Sequence, residues 1–116
     1  MIWKIRKKFF KYMSRFALTN GMRICFLRAA GYRIGSDVYI GESFIISDTL
    51  RNRDNVVIGD RVSIAPRVTI ITDSSPNNSV LKSLYPLETK KVTINDDAWL
   101  GAGAIILPGV EIGKCA

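Results

Sequence analysis

Little in this chain could do chemistry, and most of it lies in one short stretch. Among the 116 residues there is no histidine, so an imidazole base and a histidine-ligated zinc are both excluded by composition. Cys25 and Cys115 stand in different segments and form neither a metal-binding nor a redox pair. They read as free thiols of a reducing compartment. The stretch Thr72-Asp73-Ser74-Ser75-Pro76-Asn77-Asn78-Ser79 gathers a carboxylate, hydroxyls and side-chain amides. Asp73 is its ionisable member, and partial burial could raise its pKa enough to accept a proton. The competing reading is an ordinary turn aspartate that bonds to the backbone of the residues after it.

A six-residue repeat must position that stretch. Ile34, Ile40, Ile46, Asn52, Ile58, Ile64, Ile70, Ile94, Leu100, Ile106 and Ile112 share one phase, and every one but Asn52 is aliphatic. Each anchor tends to be followed by a small or polar residue (Gly35, Gly41, Ser47, Gly59, Ala65, Gly101, Gly113), with an apolar one four places on (Val38, Phe44, Leu50, Val56, Val62, Val68, Ala98, Ala104, Val110, Ala116). Neither a period of 3.6 nor plain alternation predicts this pattern. It predicts an all-β solenoid, a parallel β-helix with one short strand and one corner per hexad. Three hexads close a triangular coil, and each strand lies about 4.8 Å above its predecessor. A glycine after the anchor suits a tight corner that a Cβ would crowd. The pattern lapses between Ile70 and Ile94 and then resumes in phase, so residues 73–93 are expected to leave the prism as a protruding loop. A long irregular segment inside a compact repeat is usually functional.

Charge divides the chain. Residues 1–33 hold nine basic side chains and no acid, whereas residues 34–116 hold eight basic and ten acidic ones. The expected organisation is therefore a basic amphipathic helical cap over 1–33 and a hexad solenoid over 34–116. Ile2, Ile5, Phe9, Tyr12, Met13 and Phe16 follow helical spacing, with Lys4, Lys8, Lys11 and Arg15 on the other side. Asn20-Gly21 reads as a stop before a second short helix over 22–30. One reading of the first helix is a cover for the open first coil. The other is contact of residues 1–16 with an anionic membrane surface, Trp3 and the phenylalanines lying opposite the basic face. Nucleic-acid binding is disfavoured, because no basic stripe continues into the solenoid. No apolar run is long enough to span a membrane, and Lys11 and Arg15 interrupt the apolar stretch that a secretion signal needs. The expected location is cytoplasmic, at the inner membrane face if the second reading holds.

With the hexads and the arm in view, Ala98-Trp99-Leu100-Gly101-Ala102-Gly103-Ala104-Ile105-Ile106-Leu107-Pro108-Gly109-Val110-Glu111-Ile112-Gly113 resembles the hexapeptide-repeat O-acetyltransferases. The branch is that of the maltose, nodulation-factor and surface-polysaccharide enzymes, and the resemblance covers residues 31–116. It implies a left-handed β-helix, an exception to right-handed crossovers. It implies a homotrimer with active sites between neighbouring prisms, acetyl-CoA as co-substrate with no bound cofactor, and a saccharide hydroxyl as acceptor. A hydroxyl attacking a thioester must lose its proton, and it needs a donor for the oxyanion and a channel that aligns both substrates. In the family the proton goes to a histidine before a proline, in a Thr-x-x-His-Pro pattern. Here Ser75 stands in the histidine's place within Thr72 to Pro76, which leaves Asp73 as substitute base, orienting group or turn residue.

The same resemblance places Trp99 beside the donor or acceptor channel, or else in a trimer interface. It lets the backbone at Gly101, Ala102 and Gly103 approach the pantetheine arm. Ser74 and Asn77 either bond the acceptor sugar or are simply solvated. Family members continue with further hexads and a C-terminal cap, whereas this sequence stops at Lys114-Cys115-Ala116, so a truncated form is expected. Three functions follow: an acetyltransferase, a non-catalytic trimeric scaffold on the same fold, or a membrane-surface adaptor.

Overall fold

A computed structural model describes residues 1–51 and 54–116; Asn52, the one ladder position that is not aliphatic, lies with Arg53 outside the described residues. Two helices come first, α1 (Ile2–Arg15) and α2 (Asn20–Ala29). The Asn20-Gly21 pair is the opening turn of α2 and not a stop. Thr19 supplies the cap, its hydroxyl accepting the Met22 N–H at 3.1 Å. Past α2 the chain turns through Gly31 at φ 100°, where a Cβ would lie 2.2 Å from the Trp3 ring. Only glycine lets α1 lie that close over the exit of α2.

The strands that follow are β1 (Arg33–Ile34), β2 (Tyr39–Ile40), β3 (Ile45–Ser47), β4 (Val56–Ile58), β5 (Ser63–Ile64), β6 (Thr69–Ile71), β7 (Asp73–Ser74), β8 (Glu88–Thr89), β9 (Val92–Ile94), β10 (Trp99–Leu100), β11 (Ile105–Ile106) and β12 (Glu111–Ile112). They form three parallel sheets ordered β1-β4-β9-β12, β2-β5-β10 and β3-β6-β11, plus the antiparallel pair β7-β8. Register stacks Ile34, Ile58, Ile94 and Ile112 in one column. Ile40, Ile64 and Leu100 form a second column, and Ile46, Ile70 and Ile106 a third. Ile40, Ile64, Ile70 and Ile94 are fully buried, and so are the corner residues Val56, Val68 and Val92. Each such side chain contributes about 1.5–3 kcal/mol.

The coils are unequal. Ile94 and its partner Ile112 are 18 residues apart, whereas Ile34 to Ile58 is 24 and Ile58 to Ile94 is 36. The additions sit between β3 and β4 and between β6 and β9, and both are whole numbers of hexads. That is why the sequence ladder never lost phase. Leu50, expected inside, belongs to the first addition and lines a surface hollow beside Lys8, Lys11, Tyr12 and Arg15.

Corner glycines are required by the next coil more than by the turn itself. A Cβ on Gly35 would meet Asp60 Oδ1 at 2.3 Å, and one on Gly59 would meet Asp96 Oδ1 at 2.3 Å. Those carboxylates need the space, because each accepts the N–H that follows the glycine, Ser36 at 2.9 Å and Asp60 at 2.8 Å. Left-handed backbone falls on the third residue after the anchor, as at Asp37, Arg61, Asp97 and Gly103. Three of these residues donate to the coil before, Arg61 N–H to Ser36 O at 2.8 Å, Asp97 N–H to Asp60 O at 2.9 Å and Gly103 N–H to Pro66 O at 3.1 Å.

Helix α2 closes the first coil, whose backbone edge would otherwise be unpaired. Arg23 donates to Ile40 O at 2.6 Å, Asn20 bonds both Val38 O and Ile40 N–H, and Arg28 donates to Ile34 O and Gly35 O. Ile24, Leu27 and Ala30 join the core beneath. Helix α1 packs outside α2 through a line of inward residues, Trp3, Lys7, Phe10, Ser14 and, just past its end, Ala17. Lys7 is only 1% exposed, and Phe10 stacks on Phe26 at 6.1 Å. No helix among the described residues is long and apolar enough to cross a membrane.

Candidate functional site

The arm begins where β7 pairs with β8, Asp73 opposite Thr89 and Ser74 opposite Glu88. At its base an open groove of about 390 Å³ gathers Asp73, Ser74, Ser75 and Asn77 with Ser47, Asp48 and Thr49 of the β3–β4 connection, Ile71 and Leu87. The carboxylate of Asp73 accepts the backbone N–H of Thr49 through Oδ2. It therefore ties the arm to an earlier coil. Ser75 Oγ accepts the Asn77 N–H at 3.1 Å, which supports the left-handed backbone of Asn77 at φ 53°.

Behind this groove lies a buried polar network centred on Asp48, which sequence reasoning missed. Lys7 Nζ lies 2.7 Å from Asp48 Oδ2, and Lys11 Nζ bonds Oδ1; the Asp48 and Lys7 side chains are 0% and 2% exposed. Tyr32 donates its hydroxyl to Asp48 at 2.8 Å. Asn55 donates to Asp48 at 2.9 Å and to the hydroxyl of fully buried Thr72 at 3.0 Å. Lys7 also reaches Thr49 O at 2.9 Å. Burial works against the charged form of Asp48, but Lys11, Lys7 and Asn55 together hold its carboxyl below the ordinary 3.8. Burial, and then the Asp48 charge, push the Tyr32 phenol well above its usual value, so Tyr32 stays a neutral donor. No spacing rule links Lys7 to Asp48, so only the folded chain reveals the pair.

The remaining predicted residues lie elsewhere on the prism. Trp99 is 74% exposed on the outer face of β10, in register with Ser63 and Tyr39. A Cβ at Gly101 or Gly103 would meet nothing within 4 Å. Ala102 lines a separate hollow with Glu42, Ser43, Pro66 and Arg67. A single chain thus unites Asp73, Ser74, Ser75 and Asn77 but does not bring Trp99, Gly101, Ala102 and Gly103 to them. Among the described residues no cluster of histidine, cysteine and carboxylates could hold a metal ion.

No protein-family model matches the sequence. The chain is 36% identical over 94 residues to the galactoside O-acetyltransferase of Lactococcus lactis, a match covering 78% of this chain and 45% of that protein. It is 41% identical over 78 residues to nodulation protein L of Rhizobium leguminosarum, covering 67% and 39%. The chain thus spans less than half the length of these curated relatives. A hexapeptide-repeat acetyltransferase from Vibrio cholerae superposes with a TM-score of 0.72 over 98% of this chain and 74% of that one, at 20% identity. The Vibrio protein has also been solved in complex with acetyl coenzyme A. Stacked isoleucine columns, six-residue phase and these likenesses give the chain the left-handed parallel β-helix of the hexapeptide-repeat acetyltransferases, the family it resembles over most of its length.

Proposed function

We propose that the chain works as an O-acetyltransferase, moving an acetyl group from acetyl-CoA to a saccharide hydroxyl at a site between subunits of a homotrimer. The observation that carries this reading is the arm and the groove at its base. Residues 77–91 are all exposed, among them Val80 at 90%, Leu84 at 71% and Tyr85 at 63%. Apolar side chains held off their own prism call for a second surface to cover them. A neighbouring prism is such a surface, and it would set the outer face carrying Trp99 against the groove carrying Ser74 and Asn77. The name of the galactoside O-acetyltransferase relatives supports a saccharide acceptor, and the Vibrio complex supports the donor. Free, exposed Cys25 and Cys115 are in keeping with a reducing, cytoplasmic setting.

In this mechanism the chain acts mainly by alignment. Ser74 and Asn77 orient the acceptor, while Asp73, engaged by Thr49, positions the arm. The backbone at Gly101 to Gly103 is open enough to admit the pantetheine chain. Ser75 is too weak a base to take the proton, and its oxygen is already engaged by Asn77. Lack of general-base help costs about 10²- to 10⁴-fold in rate. That same feature favours the second reading, a trimeric scaffold that binds but does not turn over. Purified protein is incubated with acetyl-CoA, a thiol reagent and a panel of galactosides and other saccharides. Acceptor-dependent thiol release is expected, and Ser75→His should raise it by about 10²-fold or more. A folded trimer that releases no thiol in either form would leave only the scaffold.

A further inference from the structure

Helix α1 leaves most of its large apolar side chains outside. Its inner side buries Lys7 and Ser14, 1% and 3% exposed, beside Trp3 and Phe10, while Ile2, Ile5, Phe9 and Phe16 face solvent at 83%, 64%, 56% and 76%. Leu18, just beyond, is 88% exposed. Nothing in the solenoid calls for this outer strip, because α2 already satisfies the edge of the first coil. Nor can the helix roll to hide it, since that would withdraw Lys7 and Lys11 from Asp48. At about 100° per residue, exposed Lys4, Lys8 and Arg15 stand along one border of the strip and Arg6 along the other. Residues 1–33 offer no acid to neutralise them.

We propose that α1 is an in-plane anchor for an anionic lipid bilayer. Ile2, Ile5, Phe9 and Phe16 sink to the acyl boundary, and Lys4, Lys8 and Arg15 reach the headgroup phosphates. At 14 residues the helix is shorter than the roughly 20 needed to span, so the contact is peripheral. Charge selects lipid over a second copy of the chain. Two such strips face to face would bring their basic borders together without a carboxylate between them. A nucleic acid would match the basic border but leave the apolar strip in water. The proposal stands whether or not the chain transfers acetyl groups.

The test is flotation of the full chain with vesicles of phosphatidylcholine containing 30% phosphatidylglycerol, compared with pure phosphatidylcholine. Binding should need the anionic lipid and weaken in high salt. Lys4→Gln and Lys8→Gln should each lower partitioning about fivefold. Ile5→Ser together with Phe16→Ser should lower it more than about tenfold; both residues are exposed, so the urea midpoint should not move. Failure to float, or equal flotation of the double variant, overturns the proposal. So does a fall in oligomeric state of that variant on sedimentation, which would assign the strip to a second copy.

Discussion

Replacing Asp48 by asparagine perturbs the structure where its polar interior is most concentrated. Asparagine keeps the shape and one acceptor oxygen but removes the charge that Lys7 and Lys11 both face. The Lys7 ammonium is 2% exposed, so water cannot replace the carboxylate unless α1 lifts. Removing one partner of a buried ion pair costs about 3–5 kcal/mol. The hydrogen bonds from Tyr32 and Asn55 are partly kept by the remaining oxygen, so a loss of about 4 kcal/mol is expected. That is a large share of the roughly 5–15 kcal/mol of a typical domain. Lys7→Met makes the informative contrast. It leaves Asp48 with Lys11, Tyr32 and Asn55, and should cost only about 1–2 kcal/mol.

Equilibrium urea unfolding at pH 7 and equal protein concentration, followed by tryptophan fluorescence, measures both losses. The pH dependence carries a sign. The folded carboxyl of Asp48 sits below its unfolded 3.8, so its stabilisation is complete above that value and disappears as pH falls through the lowered one. The gap between parent and Asp48→Asn should therefore stay flat from pH 7 to about 4 and close only in stronger acid. The reasoning fails if Asp48→Asn unfolds within 1 kcal/mol of the parent at pH 7, or if Lys7→Met costs as much.

Gly41→Ala places a Cβ 2.6 Å from Pro66 N of the next coil, whereas Gly101→Ala meets nothing within 4 Å. Thermal melting should show the first losing about 1–3 kcal/mol and the second less than about 0.5. Asp73→Asn keeps an acceptor for the Thr49 N–H, so acetyl turnover should be unchanged. Asp73→Ala should lose about 1–3 kcal/mol in urea, and a collapse of turnover in the asparagine form would make Asp73 a proton acceptor after all. Thr19→Ala removes the cap on Met22 and should cost about 0.5–2 kcal/mol, seen as earlier melting of the far-ultraviolet helical signal.

The columns were legible because a stacked coil repeats its burial every six residues, and Ile34, Ile58, Ile94 and Ile112 report that directly. The same period hides the first addition, since an insert as long as one hexad looks like one more rung. Corner glycines are legible in the pattern but their cause is not, because the crowding at Gly35 and Gly59 comes from Asp60 and Asp96 one coil on. The faces of α1 were legible as different but not as inward or outward. A helix exposes its apolar side only when something stronger holds the other, and here that is a carboxylate 41 residues after Lys7. For the same reason the groove residues 73 to 77 could be named, but not their dependence on Thr49.

Both additions leave the prism at the same edge, where the sheet holding β3, β6 and β11 passes to the one holding β4, β9 and β12. Two edges stay uniform while the third varies in length from coil to coil. Asn55 with Thr72, and Thr49 with Asp73, tie the two excursions to each other, so novelty added there is braced as it is added. The third crossing, between β11 and β12, takes the short route through Pro108 and Gly109. It is the natural port for grafting a new recognition loop beside the arm. Loop closure there should cost little more as the graft lengthens, about 0.6 kcal/mol per doubling, and the isoleucine columns would not register the change.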